Sequence, residues 1–382
     1  MTTKYSKLFQ SFPLATDIEL RNRIIMAPMT TWSANDDGTV SEQELNYIRQ
    51  RVNGVGLVIT GCTHVQENGI GFTNEFAAFD DRFIPSLNKL AQAAKSGGAP
   101  AILQIFHAGN KAIPDLIPNA DVVSASALKT PSGSFVDSQM TSRALSSTEV
   151  LDVICAFGET TRRAIEAGFD GIELHGAHGF LIQNFFSPLF NQREDEWGGS
   201  LEKRMRFPLE IVKEVKRVIK QHAKRPFALG YRISVEEYDE NGLRIGESLQ
   251  LIDCLIESGI DYLHVSLTDI LNGKPVDSTE QKLTIQNVIE HVNQRIPLIS
   301  AGKIRTPDQA VESLALGLPL VAIGKAIVMN PDWVELAANN QADQISTELG
   351  IEKDSELHIP DLLWHEIKIR KGWFPIRQIE QV

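Results

Sequence analysis

The chain has 382 residues, 42% of them hydrophobic and 23% charged, with a formal net charge of −12. That is an ordinary globular balance, and the length suits either two domains or one large α/β barrel. The acidic charge argues against nucleic acid or an anionic membrane as partner. No apolar run reaches the roughly 18 residues of a membrane span.

Cys62, Cys155 and Cys254 lie far apart with no metal or disulfide spacing, which points to a reducing, cytoplasmic setting. The N-terminal stretch lacks the apolar core of a signal peptide. Residues 18–23 alternate and read as half of a small hairpin plugging a barrel floor. Residues 24–27 form the first apolar strand, stopped by Pro28, which cannot extend a ladder. A helix follows over 41–51, then a buried strand over 56–60 ending at Gly61-Cys62. The next helix, over 85–97, carries proline near its start and glycine at its end, the expected asymmetry. Strand three, 101–106, ends at His107.

Residues 108–147 read as a long loop, a length usually reserved for lids and binding loops. Helix three then runs from about Ser147 to Gly168, and strand four, 171–174, leads straight into His175-Gly-Ala-His178-Gly-Phe180. A helix over 209–220 places Val212, Val215, Val218 and Ile219 on one face, with Pro208 expected in its first turn or at a kink. Strands at 227–234, 262–266, 298–302 and 320–325 alternate with helices at 246–258, 283–295, from Thr306 and from Asp332. Eight strand–helix alternations, with strands too apolar to be one-faced, predict an α/β fold: a (β/α)8 TIM barrel with a long loop between strand three and helix three and a C-terminal extension. The barrel spans residues 1–340. The extension, 341–382, carries Trp364 and Trp373 and is expected to pack on the barrel or a neighbouring subunit.

Such barrels build their sites at the C-terminal ends of the strands. Here those ends offer Pro28-Met29-Thr30, Cys62, Gln104 with His107, His175 with His178, Arg232, Gly302, and Gly324 with Lys325. Glycines ending strands seven and eight mark the usual phosphate position of this fold, where backbone N–H groups and Lys325 would meet an anion. The same glycines are also compatible with plain tight turns. Arg232 interrupts an apolar strand, so it faces a polar ligand or forms an internal pair with Glu173. Gln104 suits an amide-like ring edge or an interior bond to backbone. His175 and His178 admit three readings: donors to one substrate oxygen, metal ligands together with His107 and His264, or helix-capping structure.

These rim residues lie in long, specific motifs: Ala27-Pro-Met29, Gln104-Ile-Phe-His-Ala-Gly109, His175-Gly-Ala-His178-Gly-Phe-Leu-Ile-Gln-Asn-Phe, Asn191-Gln-Arg-Glu-Asp195-Glu-Trp-Gly-Gly199-Ser and Arg204-Met-Arg-Phe. Over residues 5–340 or so the chain resembles the old yellow enzyme family of FMN-dependent NAD(P)H:flavin oxidoreductases and ene-reductases. The resemblance implies that Pro28, Met29 and Thr30 line a tightly but non-covalently bound FMN, with Thr30 near its O4/N5 edge. It implies that Cys62 contributes backbone beside the ring, that Gln104 bonds the pyrimidine edge, and that Arg232 stands near N1. Gly302, Gly324 and Lys325 would cradle the phosphate. His175 and His178 would hold a carbonyl or nitro oxygen, and Trp32 would wall the substrate pocket with Phe180. No G-x-G-x-x-G follows a strand, so NADH or NADPH is expected to bind over the flavin, transfer hydride and leave. The same place then takes a small-molecule electrophile, in ping-pong order. The resemblance leaves homo-oligomerisation open.

Two departures stand out. The family usually has tyrosine, the proton donor to the α-carbon of an activated alkene, where this chain has Phe180. Its absence removes general acid catalysis worth about 10²–10⁴-fold, unless water or a lid group replaces it, and favours quinones or nitro compounds as acceptors. Lys325 stands where arginine is common, which keeps the charge but loses the bidentate fork. Two other readings stay open: a metal- or phosphate-dependent lyase or hydrolase on the same barrel, and a flavin-binding protein with little catalysis.

Overall fold

The structure, a computed structural model, describes residues 4–130, 141–279, 281–350 and 352–377. Eight parallel strands form the barrel wall: β1 (Ile24–Met26), β2 (Leu57–Ile59), β3 (Ala101–Phe106), β4 (Gly171–Gly176), β5 (Ala228–Ile233), β6 (Tyr262–Ser266), β7 (Leu298–Ala301) and β8 (Leu320–Ile323). Each pairs with the next, β8 pairs with β1, and the ring closes. Seven helices cover the outside: α1 (Glu42–Arg51), α2 (Ile84–Lys95), α3 (Ser147–Glu166), α4 (Leu201–His222), α5 (Ile245–Glu257), α6 (Thr284–Val292) and α7 (Pro307–Ala315). Two shorter helices, Lys325–Met329 and Trp333–Ala338, follow β8.

The strands read as continuously apolar because both faces are buried, and two separate cores result. Ile24, Val58, Leu103, Ile105, Ile172, Leu174, Leu229, Tyr231, Leu263, Val265, Val321 and Ile323 face the helices. Their alternating neighbours Ile25, Leu57, Ile102, Ala228, Tyr262, Ile299 and Leu320 fill the barrel. The hairpin of Phe12–Ala15 and Ile18–Leu20 is antiparallel, and Leu14, Ile18 and Leu20 join that inner cluster as a floor plug.

Local signals place the helix starts. Ser41 caps α1 through the N–H of Glu44, Ser146 and Glu149 form a capping box on α3, and Thr306 caps α7 through the N–H of Gln309. Of the two expectations for Pro208, a first-turn place or a kink, the first needs correction. Helix α4 starts at Leu201, capped by Ser200, so Pro208 lies in its interior rather than in a first turn. There its missing N–H leaves the Arg204 carbonyl without a helical donor. The cost is outweighed by the burial of Phe207, Ile211, Val212, Val215 and Val218 on the core side of that helix.

The stretch after β3 is organised locally by short 3₁₀ turns, Gly109–Lys111, Pro114–Leu116 and Pro118–Ala120. Two-residue strands Val123–Ser124 and Arg143–Ala144 then pair. The expected long loop also includes residues 131–140, which lie outside the described residues. The C-terminal segment runs along the barrel. Its helix Asp361–Ile369 buries Leu363, Trp364 and Ile367, and the fully buried Arg51 donates to the carbonyls of Val328 (3.0 Å) and Leu357 (2.6 Å).

Candidate active site

Inward-facing positions change character along each strand. Above the apolar floor come Gln104 on β3, Glu173 and His175 on β4, Arg232 on β5, and His264 and Ser266 on β6. Register sets these side by side: Gln104 opposite Glu173, His175 opposite Arg232, and Arg232 opposite His264. A polar column thus stands inside the upper barrel, where each group must find a partner or a ligand.

Glu173 is the hub. One carboxylate oxygen accepts from Gln104 Nε2 at 2.7 Å and the other meets His264 Nδ1 at 3.0 Å. Burial alone would raise its carboxyl, but His264, Arg232 and the Gln104 bond hold it below the usual value. His264 is pushed down by burial. The pair is therefore an ionised carboxylate beside a neutral imidazole. The pairing of Arg232 with Glu173 raised by the sequence is not what forms: Gln104 and His264 take both oxygens. Gln104, likewise, is satisfied by a carboxylate rather than by backbone. Arg232 instead reaches the rim, where Nη2 donates to Ser266 Oγ at 3.0 Å, and its buried Nε has no protein partner.

Ser266 links Arg232 to the histidines, since its Oγ lies 2.7 Å from His178 Nε2. The rings of His175 and His178 meet edge-to-face with centroids 5.0 Å apart. His178 follows the strand in a left-handed conformation, φ 59°, which costs a non-glycine residue about 1–2 kcal/mol. Its N–H donates to Ser234 Oγ (3.1 Å) and its carbonyl accepts from Lys111 Nζ (2.5 Å). This turn sets the two imidazoles side by side. Desolvation, together with the positive charges of Arg232 and Lys111, pushes both below their ordinary value, most firmly for the buried His175 and less for His178, which is exposed at the rim. They are neutral N–H donors at physiological pH.

One side of the site is aromatic. Phe180 packs edge-to-face on His175 (4.9 Å) and on Phe106 (4.8 Å). Phe72 bridges Phe180 (6.1 Å) to Trp32 (5.5 Å), and Trp32 meets Trp373 of the C-terminal segment at 5.7 Å. Trp32 is 4% exposed, so it backs the wall behind Phe72. Cys62 packs in the same apolar cluster as Phe106 and Phe180, and its Sγ lies 3.4 Å from Thr30 Oγ1. Burial pushes that thiol up to about 12, so it stays protonated. Pro28 is buried and Met29 is half-buried beside it.

Strands β7 and β8 end in a second cationic region. Gly302 and Gly324 do not take positive φ, so tight-turn geometry is not the reason for glycine. A Cβ on Gly324 would stand 3.0 Å from Met29 Sδ, and one on Gly302 2.9 Å from the Leu267 carbonyl. Lys325 is half-buried. Its ammonium donates to the Trp373 carbonyl at 2.6 Å and faces the Phe374 ring at 5.6 Å. Burial and nearby Arg305 both lower its pKa, which identifies two cations crowded at one barrel edge, a fit for a phosphate. With the unpartnered Arg232 Nε and the Met29–Gly324 contact, the rim fits an elongated ligand with an anionic tail.

The metal reading gains no support from the arrangement. His107 is turned away, its Nε2 3.2 Å from Asn68 Oδ1, and His264 is spent on Glu173. Among the described residues no three His, Cys, Asp or Glu side chains converge as ligands, and no helix is long and apolar enough to cross a membrane. Sequence reasoning overlooked Ser266 as a link, the hub role of Glu173, and Lys111. The first two were available from period-two alternation on strands already recognised. Lys111 carried no signal, because only the fold returns its loop to the His178 turn.

Residues 7–344 match the model of the NADH:flavin oxidoreductase / NADH oxidase family. Over 99% of its length the chain is 43% identical to all of a Bacillus subtilis protein described as a probable NADH-dependent flavin oxidoreductase, YqiG. It is 36% identical to an NADH:fumarate oxidoreductase of Klebsiella pneumoniae, covering 95% of this chain but only 39% of that protein. In fold it is similar to morphinone reductase solved with tetrahydroNAD, with a TM-score of 0.76 at 24% identity, covering 98% of this chain and 99% of that one. The old yellow enzyme homologue of Zymomonas mobilis gives a TM-score of 0.75 at 23% identity over 87% of this chain and 93% of that one.

Proposed function

The chain belongs to the NADH:flavin oxidoreductase / NADH oxidase family, that of the old yellow enzymes, and from that premise we propose that it reduces small electrophiles in two half-reactions at one site. Hydride is taken from NADH or NADPH, the oxidised nicotinamide leaves, and a quinone, nitro compound or activated alkene enters in its place. FMN supplies the two-electron carrier between the two. The observation that carries this reading is the paired neutral imidazoles of His175 and His178, set beside a buried arginine that, among the described residues, forms no direct salt bridge and keeps its Nε without a protein partner.

Each residue has a definite task. His175 and His178 donate hydrogen bonds to the acceptor's oxygen and stabilise the negative charge that develops there. Being neutral, they need no carboxylate counter-ion and do not compete for an anionic partner. Arg232 would hold the electron-rich edge of the cofactor, with Ser266 fixing its fork. Gln104, anchored by Glu173 through its amide nitrogen, keeps its carbonyl oxygen for an N–H on the ring edge. Thr30 would set a donor at the opposite edge, while Pro28, Met29 and the backbone at Cys62 line the ring. Gly302, Gly324 and Lys325, joined by Arg305, would hold the phosphate. Phe180, Phe72 and Phe106 exclude water from the acceptor, and Trp32 supports them from behind. With three free cysteines, the proposed setting is the cytoplasm.

Anaerobic stopped-flow absorbance of the FMN-loaded protein tests this. Mixing with NADH or NADPH is expected to bleach the flavin bands, and a quinone is expected to restore them. A bound flavin that neither nicotinamide bleaches would overturn the reductase reading in favour of a binding protein.

A further inference from the structure

A site that grips a carbonyl oxygen and delivers hydride to the β-carbon of a conjugated alkene needs an acid for the α-carbon. The side chain beside the histidine pair, Phe180, has none to give. The other candidates on this rim fail on chemistry. His175 and His178 are neutral and committed to the oxygen. Arg232 does not release a proton in proteins and is bonded to Ser266. Cys62 has its thiol pushed up to about 12. Tyr238 is 78% exposed and turns its hydroxyl onto Thr268 at 2.6 Å.

Lys111 differs from all of these. It ends the 3₁₀ turn Gly109–Lys111 directly after β3, and its side chain returns to the turn that carries both histidines. Its Nζ donates to the His178 carbonyl at 2.5 Å and lies over the Phe180 ring, 5.5 Å from the centroid. It packs so closely on the same turn that a Cβ on Gly179 would stand 2.9 Å from it. Only one of its three protons is used by the carbonyl. Building on the flavin-reductase reading, we propose that Lys111 is the proton donor for carbonyl-conjugated alkenes, delivering to the α-carbon the proton that Phe180 cannot supply.

The step balances. FMN held at this rim would supply the hydride for the β-carbon, and the alkene π pair would then move toward the oxygen held by His175 and His178. The α-carbon then takes a proton as an Nζ–H bond of Lys111 breaks. The amine left behind is reprotonated by solvent through its partly exposed side. Burial lowers the Lys111 pKa toward the range in which an ammonium is an effective acid, and the more distant carboxylates of Glu237 and Asp239 oppose that shift. The rings of His175 and His178 face the same ammonium and stay neutral, so neither masks its titration.

The test uses FMN holoenzyme reduced anaerobically with NADH, then reoxidised by 2-methylcyclohexenone or by a quinone. Lys111→Met is expected to lower the ratio of alkene to quinone reoxidation rates by roughly 10²–10⁴-fold. Lys111→Arg keeps the charge and the bond to the His178 carbonyl but cannot release a proton, so it is expected to lower the ratio similarly. Adding Phe180→Tyr to Lys111→Met is expected to restore it. In the unsubstituted enzyme the alkene rate falls as pH rises and the ammonium is lost, and that limb disappears in Lys111→Met. In D2O the α-deuterium is expected on one face of the product, and on both faces in Lys111→Met. An unchanged ratio in Lys111→Met means solvent is the donor, and a full ratio in Lys111→Arg means the lysine is only a charge. Either result overturns the proposal. Failure of NADH to bleach the unsubstituted enzyme is a different signature: it overturns the flavin-reductase reading and this inference with it.

Discussion

The floor and the rim of this barrel are made by the same eight strands with the same in-and-out alternation, yet they obey different economies. At the floor the inward residues are Ile25, Leu57, Ile102, Ile299 and Leu320, closed from below by Leu14, Ile18 and Leu20. Apart from the Tyr262 hydroxyl, whose pKa burial raises, these side chains are aliphatic and packing decides. Two to four residues further along the strands the inward positions are Gln104, Glu173, His175, Arg232 and His264, all buried and polar. Two of them keep an atom without a protein partner, Arg232 Nε and His264 Nε2. A protein that wanted only stability would have carried the floor's composition upward. The rim accepts desolvation costs because its unpaired polar atoms, a donor on Arg232 and an acceptor on His264, are means of holding a ligand.

Substitutions at each end should separate these roles. Leu57→Ala at the floor is expected to lose about 2–5 kcal/mol of stability, the usual cost of a large core deletion. Urea unfolding reads the loss, while flavin content per folded molecule stays the same. A floor variant that lost flavin before it lost stability would break the comparison. His175→Ala at the rim is expected to slow acceptor reduction by about 10²–10³-fold, as for an oxyanion donor, with a much smaller change in the unfolding midpoint.

Glu173→Gln joins the two regions. It removes the ionised acceptor shared by Gln104 and His264 and is expected to cost about 1–3 kcal/mol. The sign of the pH effect follows from the depressed carboxyl of Glu173. Its contribution is present above the ordinary carboxylate pKa and is lost as pH falls through the folded value. The acid limb of a stability–pH profile should therefore flatten in Glu173→Gln, and an identical limb would count against the hub role. The smallest effect is an absence of change: the imidazole resonances of His175 and His178 are expected to stay at neutral-ring shifts between about pH 6 and 8. A titration inside that window would show that burial, with Arg232 and Lys111, does not hold them neutral.

Much of this was legible beforehand, for physical reasons. Eight short apolar runs between helical stretches admit few folds, and caps such as Ser41, Ser146 and Thr306 act within one turn of chain, so local spelling placed them. Pro208 misled because local propensity marks a helix boundary there, and only the buried face of α4 makes an interior proline tolerable. Arg232 was seen to need a polar ligand or Glu173, but its bond to Ser266 depended on register between strands 30 and more residues apart.

The residue pattern by itself determined the barrel, the polar strand ends and the motif around His175 and His178, because period, burial and local turns are written residue by residue. Tertiary structure alone decided which polar groups spend themselves on one another and which stay open to a ligand. It gave Glu173 to Gln104 and His264, left Arg232 to Ser266, drew the Trp373 carbonyl onto Lys325, and returned Lys111 to the His178 turn. Hydrogen bonds and charges act over a few ångströms of space, and those distances exist only once the ring of strands has closed.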